Sequence, residues 1–295
     1  MTQPIFGTLC VIGPGLIGSS VLRRLRTQPE LVGRLIVADR DPAVLDRIRH
    51  LDLGDVITDD LQEAVKDADC VMLCVPVGAI APVGAAVLPH MKPGAILTDV
   101  GSTRRSVVDT LAPHLRNDIP YVPAHPMAGT EHSGPDAGFA TLFDDRWCLL
   151  TPSADAPQEA MDRIADFWRA MGARIRVMDT DHHDTICAMV SHLPHLIAFT
   201  ICGTADTLAE DMRAEVLDFA ASGFRDFTRI AASDPTMWRD IFLNNSDALL
   251  SVLDRFSQDA AAMAKAIRER DEQTIVDTIS RGRRIRRSLL ENRQA

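Results

Sequence analysis

The sequence predicts an α/β fold followed by an all-helical domain. Up to about Met178, short apolar runs alternate with helical stretches, which is typical of a doubly wound parallel sheet. A glycine-rich turn follows the first apolar run. From Asp181 onward, apolar residues recur at three- and four-residue spacing, as in packed helices. We therefore predict one domain over residues 1–179 and a second over residues 180–295.

The composition is that of a globular protein with a sizeable core. The chain has 295 residues, of which 46% are hydrophobic and 24% charged, and its formal net charge is −10. This charge argues against nucleic acid or an anionic membrane as a partner. A strand-like run begins almost at once, so no targeting segment is expected, and no apolar run approaches the roughly 18 residues of a membrane span. These features favour a cytoplasmic protein.

The cysteines favour a reduced protein without a metal site. Most lie in apolar segments, and none form a C-x-x-C pair, so buried thiols are expected. The six are Cys10, Cys70, Cys74, Cys148, Cys187 and Cys202.

The glycine-rich turn is the central feature of the first domain. It follows the apolar run Leu9–Ile12 and precedes a helical stretch that begins at Ser19. This is the Rossmann pattern G-x-G-x-x-G, in which the glycines allow a tight turn, close approach of a pyrophosphate, and close packing of helix on strand. The predicted cofactor-binding residues of the turn are Gly13, Pro14, Gly15, Leu16, Ile17 and Gly18.

An acidic residue supports a dinucleotide cofactor. The second predicted strand, Leu35–Ala38, ends at Asp39, 21 residues after Gly18, where a carboxylate can bind the ribose hydroxyls. A carboxylate would repel a 2′-phosphate, so NAD is favoured. Arg40 can accept that phosphate, and NADP therefore stays open.

The remaining predicted strands end at candidate site residues. Strands are predicted over Asp69–Val75, Ala95–Asp99, Tyr121–Ala124, Trp147–Thr151 and Arg174–Met178, and helices over Val77–Leu88, Arg104–Leu115 and Pro157–Met171, with Gly172 as a C-cap. The carboxyl ends of parallel strands meet at one edge of a sheet. We therefore expect Val75, Pro76, Ser102 and His125 to face the cofactor crevice.

The helical half carries a histidine pair and two arginines. His192 and His195 share a face of a helix over about residues 184–208, which Pro194 should kink. This spacing can bind a metal in principle, but a core role is at least as favoured for His192. Arg225 and Arg229 can each pair with a nearby aspartate or bind a carboxylate ligand.

Two further segments have structural interpretations. Ser233-Asp234-Pro235 predicts a helix start, with Asp234 as N-cap and Pro235 at the first helical position. Long helices are predicted from Asp247 to Leu290. Their basic end, residues 281–287, is interpreted as a solvated last helix.

Together these motifs resemble the prephenate/arogenate (cyclohexadienyl) dehydrogenases of tyrosine biosynthesis. The resemblance spans nearly the whole chain, and its later motifs are specific. The matching segments are GPGLIG at 13–18, DVGS at 99–102, HPMAGTEHSG at 125–134, HD at 183–184, SHLPH at 191–195 and GFRDFTRIAASDPTMW at 223–238. The resemblance implies a Rossmann domain, a helical domain that dimerises, and no added mutase or regulatory domain.

The resemblance also implies a reaction, the oxidative decarboxylation of a cyclohexadienol with hydride transfer to NAD. By similarity, His125 polarises the substrate hydroxyl and Ser102 orients it, both as catalytic residues. The implied substrate-binding residues are Arg229, His195, Thr130, Glu131 and Trp238, the last reaching from the dimer-related region. His132 is assigned no role and is interpreted as a surface histidine.

Two other functions stay open. One is a dehydrogenase of the β-hydroxyacid or 6-phosphogluconate type, which is disfavoured because such enzymes use a lysine in the helical domain. Here Lys265 is the only lysine after residue 180. The other is an NAD-sensing module without turnover, which would not need His125 together with Arg229. The sequence does not decide between prephenate and arogenate, although Glu131 can pair with the ammonium of arogenate, and it leaves feedback inhibition by tyrosine open.

Overall fold

The structure, a computed structural model, describes residues 3–153, 155–207 and 220–291. The predicted helix end at Leu208 lies outside these residues. The chain up to Ser246 forms one compact unit, and the chain from Asp247 on forms a second. The boundary predicted between residues 179 and 180 stays a prediction.

The first unit is built on a five-stranded parallel sheet with strand order β3-β2-β1-β4-β5. The strands are β1 (Phe6–Ile12), β2 (Val32–Ala38), β3 (Val56–Thr58), β4 (Cys70–Leu73) and β5 (Ile96–Asp99). β4 and β5 are buried at every position, because helices cover both faces of such a sheet. The predicted doubly wound sheet is confirmed.

Five helices belong to this sheet. They are α1 (Leu16–Thr27), α2 (Pro42–His50), α3 (Leu61–Val65), α4 (Val77–Val87) and α5 (Arg105–Leu111). The segment from α2 to α3 was not predicted from the sequence. α2 begins at an Asp41 side chain that accepts the Ala43 N–H, with Pro42 at the first position, which is a standard helix start.

The strand predicted at Tyr121–Ala124 is wrong in its bounds and in its sheet. The observed strand is β6 (Ala124–Pro126), and Tyr121 makes only an isolated bridge to Leu97 of β5. β6 belongs to a second, three-stranded sheet, β6-β7-β8, in which it pairs antiparallel with β7. The Pro120 carbonyl accepts the Leu97 N–H, but Pro120 has no N–H to extend the ladder with β5, and the Val122 carbonyl accepts the Thr98 hydroxyl. His125 therefore lies within β6, opposite Leu149, rather than beyond the end of a parallel strand.

Two more strands, β7 (Trp147–Leu150) and β8 (Arg174–Val177), complete the second sheet, and the other regular elements of the described chain are helices. The helices are α6 (Gln158–Ala170), α7 (Thr180–Cys187), α8 (Leu193–Thr207), α9 (Ser222–Thr228) and α10 (Pro235–Asn244), with α11 (Ser246–Glu269) and α12 (Glu272–Glu291) forming the second unit. The Asp234 side chain accepts the Met237 N–H at the start of α10. The predicted cap is thus confirmed.

Pro194 is accommodated by a change of helix type. A π-helical turn, Ala188–His192, joins α7 to α8 directly before the proline. The missing proline N–H leaves a carbonyl without its helical donor. Nearby, His195 Nδ1 lies 2.9 Å from the Ser191 carbonyl oxygen, so a histidine side chain supplies a donor to this turn.

Within the described residues, one helical stretch, Thr180–Thr207, is long and apolar enough to cross a membrane by length and composition. The same stretch buries His183, Asp184 and His192, and all three are hydrogen-bonded. Buried polar groups that are paired in this way are typical of a core helix in a globular protein.

Two apolar clusters form the core, each containing residues of both the strands and the covering helices. One includes Leu22 of α1 and Trp168 of α6. The other includes Ile80 of α4, Leu111 of α5 and Trp238 of α10. The helix that carries Trp238 is therefore fixed against the body that carries the glycine-rich turn.

Candidate active site

The carboxyl ends of four adjacent strands lie in register at one edge of the parallel sheet. Ile12 at the end of β1 is in register with Ala38 of β2 and Leu73 of β4, and Leu73 is in register with Asp99 of β5. β1 lies between β2 and β4, so the chain crosses to opposite sides of the sheet at this point. This is where open α/β sheets bind nucleotides.

The glycine-rich turn has the shape that a dinucleotide requires. Gly13 has φ of +82°, and a Cβ there would lie 2.6 Å from Val75 Cγ1. A Cβ on Gly18 would lie 3.1 Å from Cys74 Cβ, whereas a Cβ on Gly15 would meet no atom within 4 Å. Gly13 thus makes the turn, Gly18 allows close packing, and Gly15 faces open space where a pyrophosphate can approach.

The start of α1 adds donors to this space. α1 begins at Leu16, its N-cap is Gly15, and no side chain caps it, so its first amides are available to a phosphate. Asp39 lies at the end of β2 and accepts the Asp41 N–H at 2.9 Å, while Arg40 is exposed. These residues fit the adenosine ribose and pyrophosphate of NAD.

A buried chain of polar groups holds His125. His125 Nδ1 lies 2.8 Å from His183 Nε2, and His183 Nδ1 lies 2.8 Å from Asp184 Oδ1. Asp184 also accepts the backbone N–H groups of Arg104 and Arg105 at 2.9 and 2.8 Å. The three side chains are 8%, 0% and 4% exposed. The sequence singled out the pair 183–184 as a motif but assigned it no role.

Burial keeps His125 uncharged. Desolvation holds its pKa well below the usual value, and His183, Arg104 and His192 lower it further. Arg104 is itself fully buried and paired with Asp99 at 2.8 Å. His125 is therefore a neutral imidazole near pH 7 and can accept a proton.

The pair of Arg104 and Asp99 is a second feature that the sequence did not predict. Tyr121 Oη donates to Asp99 at 2.6 Å, and Arg104 also donates to the Gly101 carbonyl. These contacts fix the loop after β5, which carries Ser102. The signal in the sequence was an aspartate and an arginine flanking the short loop 100–103.

Cys187 lies against the two histidines. Its Sγ is 3.7 Å from His125 Nδ1 and 3.5 Å from His183 Nε2, so within the described part of the chain these three residues are close enough to share a metal ion. Two nitrogens on a tetrahedral zinc at about 2.0–2.1 Å would lie roughly 3.3 Å apart. The observed 2.8 Å between them is a hydrogen-bond distance.

Three of the predicted substrate-binding residues converge on the Trp238 side chain and the loop after β6. The rings of His195 and Trp238 stack, with centroids 3.7 Å apart. Arg229 Nη1 lies 3.1 Å from Glu131 Oε2. The pKa of His195 lies below its usual value, because burial and then the charge of Arg229 lower it more than the hydrogen bond to the Ser191 carbonyl raises it. His195, Arg229 and Glu131 thus belong to one neighbourhood.

The structure places the other predicted residues less centrally. Trp238 is 6% exposed and packs within its own chain, so it reaches this neighbourhood without a second copy of the protein. Thr130 is exposed and accepts the His132 N–H, and His132 itself is 76% exposed. Ser102 is partly buried on its loop. Within the described residues no hydrogen bond joins it to His125, whose Nδ1 is held by His183 instead.

The buried histidines predict a loss of stability in mild acid. Burial lowers the pKa values of His125 and His183, and that of His192 falls to about 4. The unfolded chain therefore binds more protons below pH 6.5, and stability falls as the pH drops from 6.5 toward 4. We expect the unfolding temperature to fall by several degrees between pH 7 and 5.5, and less steeply in His192→Gln. A melting temperature independent of pH over this range would contradict this.

Comparisons with known proteins agree with this geometry. Family models match over residues 23–177 (prephenate dehydrogenase, nucleotide-binding domain) and 179–281 (prephenate dehydrogenase, dimerization domain). A cyclohexadienyl dehydrogenase of Zymomonas mobilis subsp. mobilis is 44% identical over 286 residues, 97% of each chain. The chain belongs to the prephenate dehydrogenase family.

Solved structures of prephenate and arogenate dehydrogenases share the fold. A prephenate dehydrogenase from A. aeolicus, in complex with hydroxyphenyl propionate and NAD+, superposes with a TM-score of 0.89 at 27% identity, covering 98% of this chain and 99% of that one. A Synechocystis arogenate dehydrogenase gives 0.75 at 26% identity, covering 90% and 93%. The predictions of fold, NAD cofactor and oxidoreductase activity are confirmed.

In this prephenate dehydrogenase family member, Gly15→Ala is expected to separate cofactor binding from folding. An added Cβ meets no protein atom within 4 Å, so the unfolding temperature should change by only about 1–2 °C. The methyl group would lie where the pyrophosphate approaches. We expect the Kd for NADH, measured by fluorescence, to rise about tenfold. Gly203→Ala is the control, because its added Cβ also meets no atom of the described residues within 4 Å. An unchanged Kd in Gly15→Ala would contradict the assignment.

Proposed function

We propose that the protein catalyses the oxidative decarboxylation of prephenate, arogenate or both. The products would be 4-hydroxyphenylpyruvate or tyrosine, carbon dioxide and NADH. The observation that carries this is His125, a buried neutral histidine whose Nδ1 is already held by His183. Its Nε2 is therefore the nitrogen left to act on a substrate hydroxyl.

The reaction requires a hydride acceptor and a base for the hydroxyl proton. When bound, NAD supplies the acceptor for the hydride that leaves the ring carbon bearing the hydroxyl. His125 Nε2 accepts the hydroxyl proton as the hydride leaves. The ring carboxylate then departs as carbon dioxide, its bonding electrons complete the aromatic ring, and the proton returns to the phenolate oxygen. No net proton is consumed.

The substrate's carboxylates need cationic or hydrogen-bonding partners. Arg229 offers a guanidinium that is 62% exposed. His195 Nδ1 donates to the Ser191 carbonyl, so its Nε2 donates to a carboxylate only when the ring is protonated, a state that a bound anion favours. We propose that these two groups bind the substrate's side-chain acid. Ser102, on the loop after β5, is proposed to contact the nicotinamide side of the site, and Thr130 to line the pocket entrance.

The choice between the two substrates is proposed to depend on Glu131. Its own backbone amide and then the charge of Arg229 lower the pKa of this carboxyl, so it is an anion that can pair with the ammonium of arogenate. The names of the relatives include both activities. Steady-state rates of NADH formation with each acid, and with NAD against NADP, test the substrate, the cofactor preference and the roles of Asp39 and Arg40. No NADH from either acid would refute the proposal.

The assembly is proposed to be a homodimer, formed through the helical part, in the cytoplasm. The second unit leaves large apolar side chains at least 41% exposed in the single chain. These are Leu250, Phe256, Ile267, Val276, Ile279, Ile285 and Leu289. Such a surface is typical of a protein interface. A monomeric mass by light scattering at micromolar concentration would contradict this.

A further inference from the structure

We propose that His183 and Asp184 fix the tautomer of His125, so that the nitrogen facing the substrate carries no proton before the reaction. They would then be positioning residues, acting through His125 rather than on the substrate. The inference rests on the proposed function for its effect on rate, but the tautomer itself is a property of the free protein.

Asp184 is the fixed acceptor at the end of the hydrogen-bonded series. A carboxylate can only accept hydrogen bonds, and this one accepts the backbone N–H groups of Arg104 and Arg105. Burial alone would raise the pKa of Asp184, but hydrogen bonds from His183 and from the Arg105 amide lower it overall. Asp184 is therefore ionised, and His183 Nδ1, 2.8 Å away, must carry the hydrogen between them.

His183 determines which nitrogen of His125 carries the hydrogen. A neutral imidazole has one N–H and one acceptor nitrogen, and burial lowers the pKa of His183, so His183 is neutral and its Nε2 has no hydrogen. His125 Nδ1 lies 2.8 Å from that nitrogen. Two lone pairs at this distance in a buried site would repel each other. His125 Nδ1 therefore donates, and His125 Nε2 is the bare nitrogen.

The reverse arrangement is excluded by the same contacts. If His125 carried its hydrogen on Nε2, His183 would have to donate from its own Nε2. His183 Nδ1 would then face the Asp184 carboxylate without a hydrogen. That arrangement buries an unpaired acceptor beside an anion. Asp184 thus determines which nitrogen of His183 carries its hydrogen, and His183 in turn determines which nitrogen of His125 does.

The hydrogen bonds through His183 to Asp184 also stabilise the protonated His125 that forms during the reaction. The titratable groups facing His125 are His183 and Cys187 from α7, Arg104 from the start of α5, His192 from the π-helical turn and Cys148 from β7. Arg104 is paired with Asp99. When His125 takes a proton, Asp184 is the anion hydrogen-bonded through His183 to the new charge.

Nitrogen-15 NMR of histidine-labelled protein tests the tautomers directly. We expect His125 and His183 to show protonated Nδ1 and bare Nε2 in the free enzyme at pH 7.5. His125→Asn and His183→Gln each remove one of the nine histidines and so assign the signals. His125 with its hydrogen on Nε2 would overturn the proposal, whether or not the enzyme oxidises either acid.

Asp184→Asn tests the origin of the orientation. The amide has one acceptor oxygen for three donors, so we expect both rings to change tautomer and kcat to fall about 10- to 100-fold. The acid limb of kcat against pH should move to lower pH, because the anion that favours the protonated pair is gone. Retained tautomers and an unmoved acid limb would contradict the proposal.

Two further variants separate positioning from packing. His183→Gln keeps an oxygen that can accept from His125 Nδ1, and it should retain more activity than His183→Leu. Cys70→Ala removes a buried side chain from β4, in the five-stranded sheet. We expect its tautomers and acid limb to match the wild type. Equal losses in His183→Gln and His183→Leu, with unchanged His125 signals, would show a purely structural role.

Discussion

His125→Asn is expected to lower kcat about 1,000-fold. General base catalysis contributes roughly 10²- to 10⁴-fold, and asparagine has no basic nitrogen in place of Nε2. Its amide can still donate to His183 Nε2, so the buried chain to Asp184 keeps a partner. The measurement is NADH formation at saturating substrate and NAD, together with the Kd for NADH, which should stay within about twofold.

The control for this substitution is His132→Asn. It makes the same chemical change seven residues further along the sequence, in the loop after β6, at a side chain that is 76% exposed. We expect kcat within about twofold of the wild type. If NADH affinity collapsed in His125→Asn, the histidine would have a structural role, and the assignment of the base would be wrong.

The features predicted best from the sequence are those set by local chemistry. Gly13 has φ of +82°, which favours glycine, and the absence of a side chain at Gly15 leaves space for the cofactor. The glycine spacing therefore predicts the turn directly from the sequence. The same holds for Asp234, whose side chain caps the next residues of its own chain. In each case the partners are a few residues apart.

The features that were missed depend on partners far apart in the chain. His125 and His183 are 58 residues apart, and Asp184 caps a helix start 80 residues earlier. Neither spacing leaves a periodic pattern. Arg104 would be assigned to an exposed helix start from its sequence, yet it is fully buried, with its guanidinium donating to the Asp99 carboxylate and the Gly101 carbonyl.

The strand before His125 shows how a local rule can mislead. Its apolar residues resemble another parallel strand, but Pro120 has no N–H to donate and the Val122 carbonyl accepts the Thr98 hydroxyl, so the pairing with β5 is limited to one bridge. β6 instead pairs antiparallel with β7. His125 still contacts His183 of α7. Its position is determined by the second sheet rather than by the end of a strand in the first sheet.

Arg229→Ala is expected to raise the KM of the acid substrate about 100-fold. A charge-assisted hydrogen bond contributes roughly 1.5–3 kcal/mol, and a fork of two such bonds to a carboxylate is stronger than one. The carboxylate is present in both the ground state and the transition state. Binding of this kind affects KM more than kcat, and we expect kcat to fall by no more than about fivefold.

Matched variants sharpen this result. Arg225→Ala removes an exposed arginine four residues earlier in α9 and should leave KM within about twofold. Arg229→Lys keeps the charge but loses the fork, so its KM should lie between those of the wild type and Arg229→Ala. Glu131→Gln removes the carboxylate that lies 3.1 Å from Arg229. With prephenate, whose side chain lacks an ammonium, KM should fall or stay unchanged. A large loss of kcat at constant KM in Arg229→Ala would show that the arginine acts on the transition state instead.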